Sequence, residues 1–162
     1  MQRTEALARI SDEPGHTTRL FASPAMRRAN KLVGTWMSQA GMSTREDAIG
    51  NLRGRYDAAP GSPCGDKLFL LGSHLDTVRN AGRFDGALGV LLAIGCVEAL
   101  HRSKLRLPFA LEVVGFADEE GVRYQTAYLG SKALAGGFDA KDLQRRDGNG
   151  LTMADAIRRF GG

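Results

Sequence analysis

The sequence predicts an α/β fold with a mainly parallel sheet and flanking helices. Two short stretches, "KLFLLGSH" and "PFALEVVGFA", have the continuous hydrophobicity of strands that are covered on both faces. Between them lies "GALGVLLAIGCVEALHRS", whose length and apolar composition indicate a mostly buried helix. A strand, a helix and a second strand in this order are typical of a βαβ unit, in which a right-handed crossover joins two parallel strands.

The elements on either side of this unit have local signals of their own. In "SPAMRRANKLVGTWMSQAG", Ser23 suits the N-cap of a helix, Pro24 suits its first position, and Gly41 ends it. The stretch "DAIGNLRGRYD" alternates weakly, which predicts a strand pair or an edge strand. Further along, "LGSKALAGG" and "TMADAIRRFGG" indicate two short helices.

Composition narrows the classes of function. The chain has 162 residues, 43% hydrophobic and 25% charged, which suits one globular domain with a real core. Its net charge of +4 is scattered, so we expect no nucleic-acid partner. There is no apolar run of membrane-spanning length and no secretory signal, so we expect no membrane association and a cytoplasmic location. Cys64 and Cys96 fit neither a disulfide framework nor a zinc motif, and Cys96 is expected in the core.

Polar side chains follow both of the predicted buried strands. His74 and Asp76 come just after the first strand, and Glu119 and Glu120 just after the second, where ligand crevices form in open α/β sheets. Residues i and i+2 of an extended segment point the same way, so Asp76 can orient a metal-bound His74. Asp85 heads the next helix, and its carboxylate is suited to bridging two divalent ions. Glu120 is suited to binding the second ion, and Glu119 to acting as general base.

Each of these signals also has an ordinary structural explanation. An isolated His-x-Asp is commonly a hydrogen-bonded surface pair, Asp-Gly a turn, and Glu-Glu a solvated face. The combination favours a metal site because both acidic groups follow predicted buried strands. His16, in a polar N-terminal loop, and His101, at the end of the long helix, lack such support.

The stretches "GSHLDTVRNAGRFDGALGV" and "FADEEGVRY", with "LGSKALAG" after them, resemble the metal-binding core of the M20 metallopeptidase-like amidases. The subgroup they resemble is that of the allantoate amidohydrolases and N-carbamoyl-L-amino-acid hydrolases, the hydantoinase/carbamoylase amidases. The likeness extends through "GHTTRLFASPAMRRANKLVGTWMSQAGM" and "AIGNLRGRY", and so covers nearly the whole chain.

The resemblance implies part of a zinc-aminopeptidase-like catalytic domain that holds two divalent ions, Zn²⁺ or Mn²⁺. His74 would bind one ion, Glu120 the other, and Asp85 would bridge both. Glu119 would be the general base, and Asp76 would support His74. The implied substrates are small molecules, linear ureido or carbamoyl amides that are split to release ammonia and carbon dioxide.

The chain departs from the family pattern in length. Members of the family carry a further histidine in a stretch resembling "HIEQGP", a dimerising lid domain and a last histidine, and none of these occurs in the 162 residues. We therefore expect residues 1–162 to be the N-terminal part of the catalytic domain of a homodimeric parent, without the lid domain and inactive alone. The alternative functions are an M20 aminoacylase or dipeptidase, and a non-catalytic truncated relative.

Overall fold

The structure is a computed structural model that describes residues 1–162. It contains one sheet, five α-helices and a short 3-10 helix. In chain order the elements are α1 (Gln2–Ala8), α2 (Pro24–Gln39), β1 (Ser43–Glu46), β2 (Leu52–Tyr56), β3 (Leu68–His74), α3 (Ala87–Arg102), β4 (Ala110–Phe116), α4 (Leu129–Leu134), the 3-10 helix (Ala140–Gln144) and α5 (Met153–Phe160).

The four strands lie in the order β1-β2-β4-β3. The predicted βαβ unit is present, because β3 and β4 are parallel neighbours and α3 connects them. The α/β class with flanking helices is therefore confirmed. The sheet as a whole is mixed rather than mainly parallel, since β2 pairs antiparallel with both β1 and β4. For β1 and β2 the reason is local, because the short loop 47–51 permits an antiparallel pair but not a parallel crossover.

The two strands of the βαβ unit differ in burial. Strand β4 is interior to the sheet, and all of its residues except the last are buried. Strand β3 forms an edge, and Leu68, Phe69 and Leu70 are 43%, 55% and 39% exposed. The prediction that "KLFLLGSH" is covered on both faces is therefore wrong for this chain. Its apolar composition favours burial, but the described residues cover only part of its surface.

Helix α3 is also covered on one side only. The residues that it turns towards the core are Ala87, Val90, Leu91, Ile94 and Val97. On the other side Leu88 and Leu92 are 39% and 61% exposed, and Cys96 is exposed as well. The expectation that Cys96 lies in the core is wrong, because a helix that is apolar all round does not reveal which of its faces the sheet covers.

Helix α2 follows its sequence signals closely. The Ser23 hydroxyl accepts a hydrogen bond from the backbone N–H of Met26 at 3.0 Å, and Pro24 is the first helical residue. Ala29, Val33 and Met37 lie in the main core, which also contains residues of the sheet and of α3. None of the helices is both long and apolar enough to cross a membrane.

A second, smaller core lies beneath the chain segment that follows β4. Its buried members are Phe21, Ile49, Ala117, Tyr124, Leu129, Met153 and Ala156. These residues come from five separate parts of the sequence, so the packing joins the β1–β2 loop, α4 and α5 to the end of β4. The small core thereby supports the segment that carries the two glutamates.

Candidate metal centre

The register of the sheet brings the predicted site residues to one edge. His74 is the last residue of β3, and its partner across the parallel pair is Phe116, the last residue of β4. Glu119 and Glu120 follow Phe116 by three and four positions. The imidazole and the two carboxylates therefore lie at the carboxyl ends of adjacent strands, as predicted from the sequence.

The side chains converge to distances that suit a metal ion. The Nε2 atom of His74 lies 3.8 Å from an oxygen of Asp85 and 3.8 Å from an oxygen of Glu119. His74, Glu119 and Glu120 each offer one ligand atom, and these three atoms lie within 4.8 Å of one another. Asp85, from the N-terminal side of α3, lies beside the imidazole but does not belong to this group of three.

Asp76 organises the site in two directions. Its carboxylate accepts hydrogen bonds from the backbone N–H groups of Glu119 and Glu120, both at 3.1 Å. The Nδ1 atom of His74 lies 3.0 Å from the backbone oxygen of Asp76 and 3.5 Å from its carboxylate. The imidazole is therefore oriented first by the carbonyl of Asp76, since the buried carboxylate is engaged mainly by the two amides.

Gly86 allows Asp85 to approach the imidazole. It precedes α3 with a φ of 63°, and a Cβ atom at this position would lie 2.5 Å from ring atoms of His74. The hydroxyl of Ser73 donates to the carbonyl of Gly86 at 2.8 Å, which ties the turn to β3. Asp85 and Gly86 therefore form a turn, as expected for an Asp-Gly pair, and this turn also places the carboxylate of Asp85 beside His74.

The electrostatics of the site favour a bound cation. Burial lowers the pKa of His74, but the neighbouring Asp76 and Glu119 outweigh burial and raise this pKa to about 9. Burial raises the pKa of Glu120, and the nearby carboxylates of Asp85 and Glu119 raise it further. The three carboxylates at the site, Asp85, Glu119 and Glu120, form no ion pair with a lysine or arginine. One imidazole and three carboxylates, which no lysine or arginine neutralises, form a donor set that fits a divalent metal.

Asp118 is a site residue that the sequence analysis did not single out. It lies directly before the two glutamates, is 1% exposed and has a φ of 54°. Burial, followed by the charge of Asp76, raises the pKa of Asp118 to about 7, and its Oδ2 atom has no hydrogen-bond partner. The sequence signal for Asp118 was an acidic residue directly after a buried strand. The burial of Asp118 could not be predicted, because it depends on the packing of the second core.

The other two histidines have different surroundings. His16 contacts Asn80 and Arg79 through its two ring nitrogens, at 2.8 and 2.6 Å, and is exposed to solvent with them. His101, in the last turn of α3, stands edge-on to the ring of Tyr56. Neither belongs to the cluster of potential metal ligands.

Comparison with known proteins now adds to this geometry. Residues 70–155, more than half of the chain, match peptidase family M20/M25/M40. The chain belongs to this family. The matched span includes every residue of the candidate metal centre, so the M20 assignment and the converging side chains concern the same part of the molecule.

Relatives of this M20 chain cover almost all of it. Allantoate deiminase from Arabidopsis thaliana is 41% identical over 160 residues, which are 96% of this chain and 30% of the relative. The N-carbamoyl-L-amino acid amidohydrolase from Geobacillus stearothermophilus is 39% identical over 99% of this chain and 39% of its own length. The M20 chain thus spans 30–39% of the length of these two relatives.

The fold of this M20 chain is shared with a solved amidase. The crystal structure of a hydantoinase/carbamoylase family amidase from Burkholderia ambifaria matches with a TM-score of 0.88 and 36% sequence identity. The match covers 99% of this chain and 39% of that one. The resemblance drawn from the two sequence motifs is therefore confirmed at the level of the family and the fold.

Proposed function

We propose that this M20 chain contributes the metal-binding part of an amidohydrolase that cleaves C–N bonds in linear ureido or carbamoyl compounds. The observation that carries the proposal is the convergence of His74, Asp85, Glu119 and Glu120 at the ends of β3 and β4. The two relatives are named for allantoate and for N-carbamoyl amino acids, which both contain an N–CO–NH₂ group. This group is the substrate class that we propose.

The donor set allows a division of roles. We propose that His74 and Glu120 would hold separate divalent ions, Zn²⁺ or Mn²⁺, and that Asp85 would serve as a ligand to both. When bound, such ions act as Lewis acids towards the substrate carbonyl and lower the pKa of water. Asp76 keeps the ligands in place, because its carbonyl faces the imidazole and its carboxylate holds the amides of both glutamates.

Glu119 is the proposed proton carrier. Its carboxylate lies beside Nε2 of His74 at 3.8 Å and is about a third exposed, so water and substrate can reach it. It takes a proton from the attacking water and returns a proton to the departing nitrogen. For a ureido compound the overall change is R–NH–CO–NH₂ + H₂O → R–NH₂ + CO₂ + NH₃.

Metal content of single variants tests the proposed roles. His74→Ala removes a proposed ligand and should lose most of the bound Zn²⁺ or Mn²⁺, whereas Glu119→Gln should keep its metal because the proposed ligands His74, Asp85 and Glu120 remain. Glu13→Gln, which changes an exposed glutamate paired with Arg79, is the matched control and should behave as the unchanged chain. Each variant is dialysed against metal, and its content is measured by atomic emission. Equal metal in His74→Ala and the unchanged chain contradicts the site.

Turnover tests the substrate class. We expect negligible ammonia release from allantoate or N-carbamoyl amino acids by residues 1–162 alone, because positioning of substrate can supply roughly 7–11 kcal/mol of a barrier. In a protein that joins this sequence to the remaining length of its relatives, ammonia release should be measurable and should be nearly abolished by Glu119→Gln. Release of an amino acid from an N-acyl amino acid or a dipeptide, without ammonia, supports an M20 aminoacylase or dipeptidase instead.

A further inference from the structure

The backbone of residues 117–120 forms hydrogen bonds with three separate parts of the molecule. Asp76 accepts the N–H groups of Glu119 and Glu120, on the side that faces β3. The N–H groups of Tyr128, Leu129 and Gly130 donate to the carbonyls of Glu119, Asp118 and Ala117 at 3.2, 3.1 and 2.8 Å. The N–H of Ala117 donates to the side chain of Asn51 at 2.8 Å. Only this last bond comes from the β1–β2 side of the molecule.

Asn51 is fully buried and uses all of its side-chain hydrogen-bonding groups. Its Nδ2 donates to the carbonyl of Gly130 at 3.0 Å and to the carboxylate of Asp47 at 2.9 Å, while its Oδ1 accepts from Ala117. Its backbone N–H donates to the same carboxylate at 2.9 Å. The opposite orientation of the amide would set its oxygen against two acceptors and its nitrogen against a donor, so the network fixes the side chain.

Gly130 lies in close contact with both Asn51 and Ala117. A Cβ atom on Gly130 would lie 2.1 Å from the Oδ1 of Asn51 and 2.5 Å from the carbonyl oxygen of Ala117. No larger residue fits without separating the β1–β2 loop from the end of β4. We call this set of Asp47, Asn51, Ala117 and Gly130 the amide clasp.

The glutamate segment needs such external support. Asp118 holds a left-handed backbone conformation with a φ of 54°, which is uncommon for a residue other than glycine. Its carboxyl group is buried with the Oδ2 atom unpartnered, which costs free energy at this point of the chain. The clasp fixes the residue immediately before Asp118, which sets the direction in which Glu119 and Glu120 leave the strand.

We propose that Asn51 is a positioning residue for the two glutamates of the metal centre. It forms hydrogen bonds to none of His74, Asp85, Glu119 or Glu120, so its effect is transmitted through the backbone of residues 117–120. The inference rests on the proposed function in that the glutamates serve a bound metal, but the immobilisation of their backbone can be measured without one.

Asn30 offers a matched control. It is also a buried asparagine, and its Nδ2 atom donates to the carbonyl of Gly50 and to Glu46, both at 3.2 Å. It therefore holds the same β1–β2 region from α2 but forms no hydrogen bond to the segment after β4. Asn51→Ala and Asn30→Ala should both lower thermal stability, and only the first should disturb the glutamates.

The first readout is Co²⁺ titration of the 162-residue chain, followed by the visible absorption of the bound ion. Asn51→Ala should weaken Co²⁺ binding roughly 10–100-fold, the usual effect of losing a partner that orients metal ligands, and should alter the spectrum. Asn30→Ala should leave both unchanged. Equal Co²⁺ affinity and spectra in folded Asn51→Ala and the unchanged chain overturn the proposal, as does an equal loss in Asn30→Ala.

The second readout is hydrogen exchange of the Glu119 and Glu120 amides in the metal-free chain. These amides donate to Asp76 and not to Asn51, so faster exchange in Asn51→Ala than in Asn30→Ala supports transmission through the segment, and equal rates overturn it. A chain that fails to bind Co²⁺ counts against the proposed function, while exchange still decides the role of Asn51. If Asn51→Ala does not fold, the exchanged pair Asp47→Asn/Asn51→Asp is used instead. It keeps an oxygen towards Ala117 and a hydrogen bond between residues 47 and 51 but loses the bond to Gly130, so it should restore folding, metal binding and slow exchange only in part.

Discussion

Strands β3 and β4 are neighbours with similar composition and opposite surroundings. They pair in register from Leu68 opposite Ala110 to His74 opposite Phe116. Six of the seven residues of β4 are buried, whereas four of the seven residues of β3 are exposed and none is buried. Continuous hydrophobicity thus marks both strands as surfaces that favour being covered, but only the position in the sheet determines which of them is covered by this chain.

The same contrast extends to the helix that joins the two strands. The buried stripe of α3 lies in the main core, while Leu88 and Leu92 are exposed and lie beside residues 1–4. The candidate metal centre lies where the two regions meet, since His74 comes from the exposed strand and the glutamates follow the covered one. The buried strand β4 holds the glutamate segment in place, and the exposed strand β3 leaves the metal centre accessible to solvent.

A pair of identical substitutions gives the largest expected effect. Leu111 in β4 is 5% exposed and Leu70 in β3 is 39% exposed. Leu111→Ala removes buried methyl groups and leaves a cavity, so the free energy of unfolding should fall by about 2–5 kcal/mol. Leu70→Ala should cost about 1 kcal/mol or less, because much of this side chain already contacts water. Urea unfolding measures both; equal losses would show that β3 is covered in solution.

The second prediction is that the chain self-associates through the exposed apolar side chains of β3 and α3. Phe69 and Leu92 are 55% and 61% exposed, and apolar surface of this kind drives proteins together. The chain should therefore elute at larger apparent mass as its concentration rises. Leu92→Lys should weaken this association roughly tenfold, since it removes about one buried apolar side chain per contact.

Thr35→Lys, on the exposed face of α2, is the control for the added charge. It should leave the elution profile of the chain unchanged. Sedimentation velocity over a range of concentrations distinguishes the two variants. A single monomer boundary for the unchanged chain at every concentration would show that the exposed apolar surface does not associate.

The smallest expected effect is a change of stability at acid pH, caused by an ion pair in the segment that follows the buried strand β4. Arg123, which follows β4, donates to Asp147 at 3.0 Å and to the carbonyl of Phe21 at 2.7 Å. Burial raises the pKa of Asp147, but hydrogen bonds from Arg123 and from the amides of Leu151 and Asn149 outweigh burial and lower it. A folded-state pKa below the unfolded value of about 3.9 stabilises the fold above that pH, and this stability is lost as the pH falls through the folded-state pKa.

Asp147→Asn should therefore be less stable than the unchanged chain at neutral pH, and the difference should shrink below about pH 4. Thermal unfolding between pH 7 and pH 3 measures this change. Asp66→Asn alters an exposed aspartate and serves as the control, with little effect expected at any pH. A difference for Asp147→Asn that stays constant across this range would mean that the Arg123 pair does not titrate.

Much of the architecture was available from the sequence. The cap and length of α2, the βαβ unit and the acidic groups after its two apolar strands were all predicted and are all present. These features depend on local signals: a capping side chain, hydrophobic periodicity and the position of polar residues after an apolar run. The motif around His74 and Glu119 also identified the family that the comparisons show.

The tertiary structure decided which surfaces are covered and which groups orient the site. Nothing local distinguishes β3 from β4, or the inward face of α3 from its outward face, because hydrophobicity records a preference and not a partner. Nor does the sequence reveal that the carboxylate of Asp76 binds the glutamate amides, or that Asn51 reaches residues 66 and 79 positions away. Such contacts join distant parts of the chain, and they exist only once the packing of the sheet and the second core has brought those parts together.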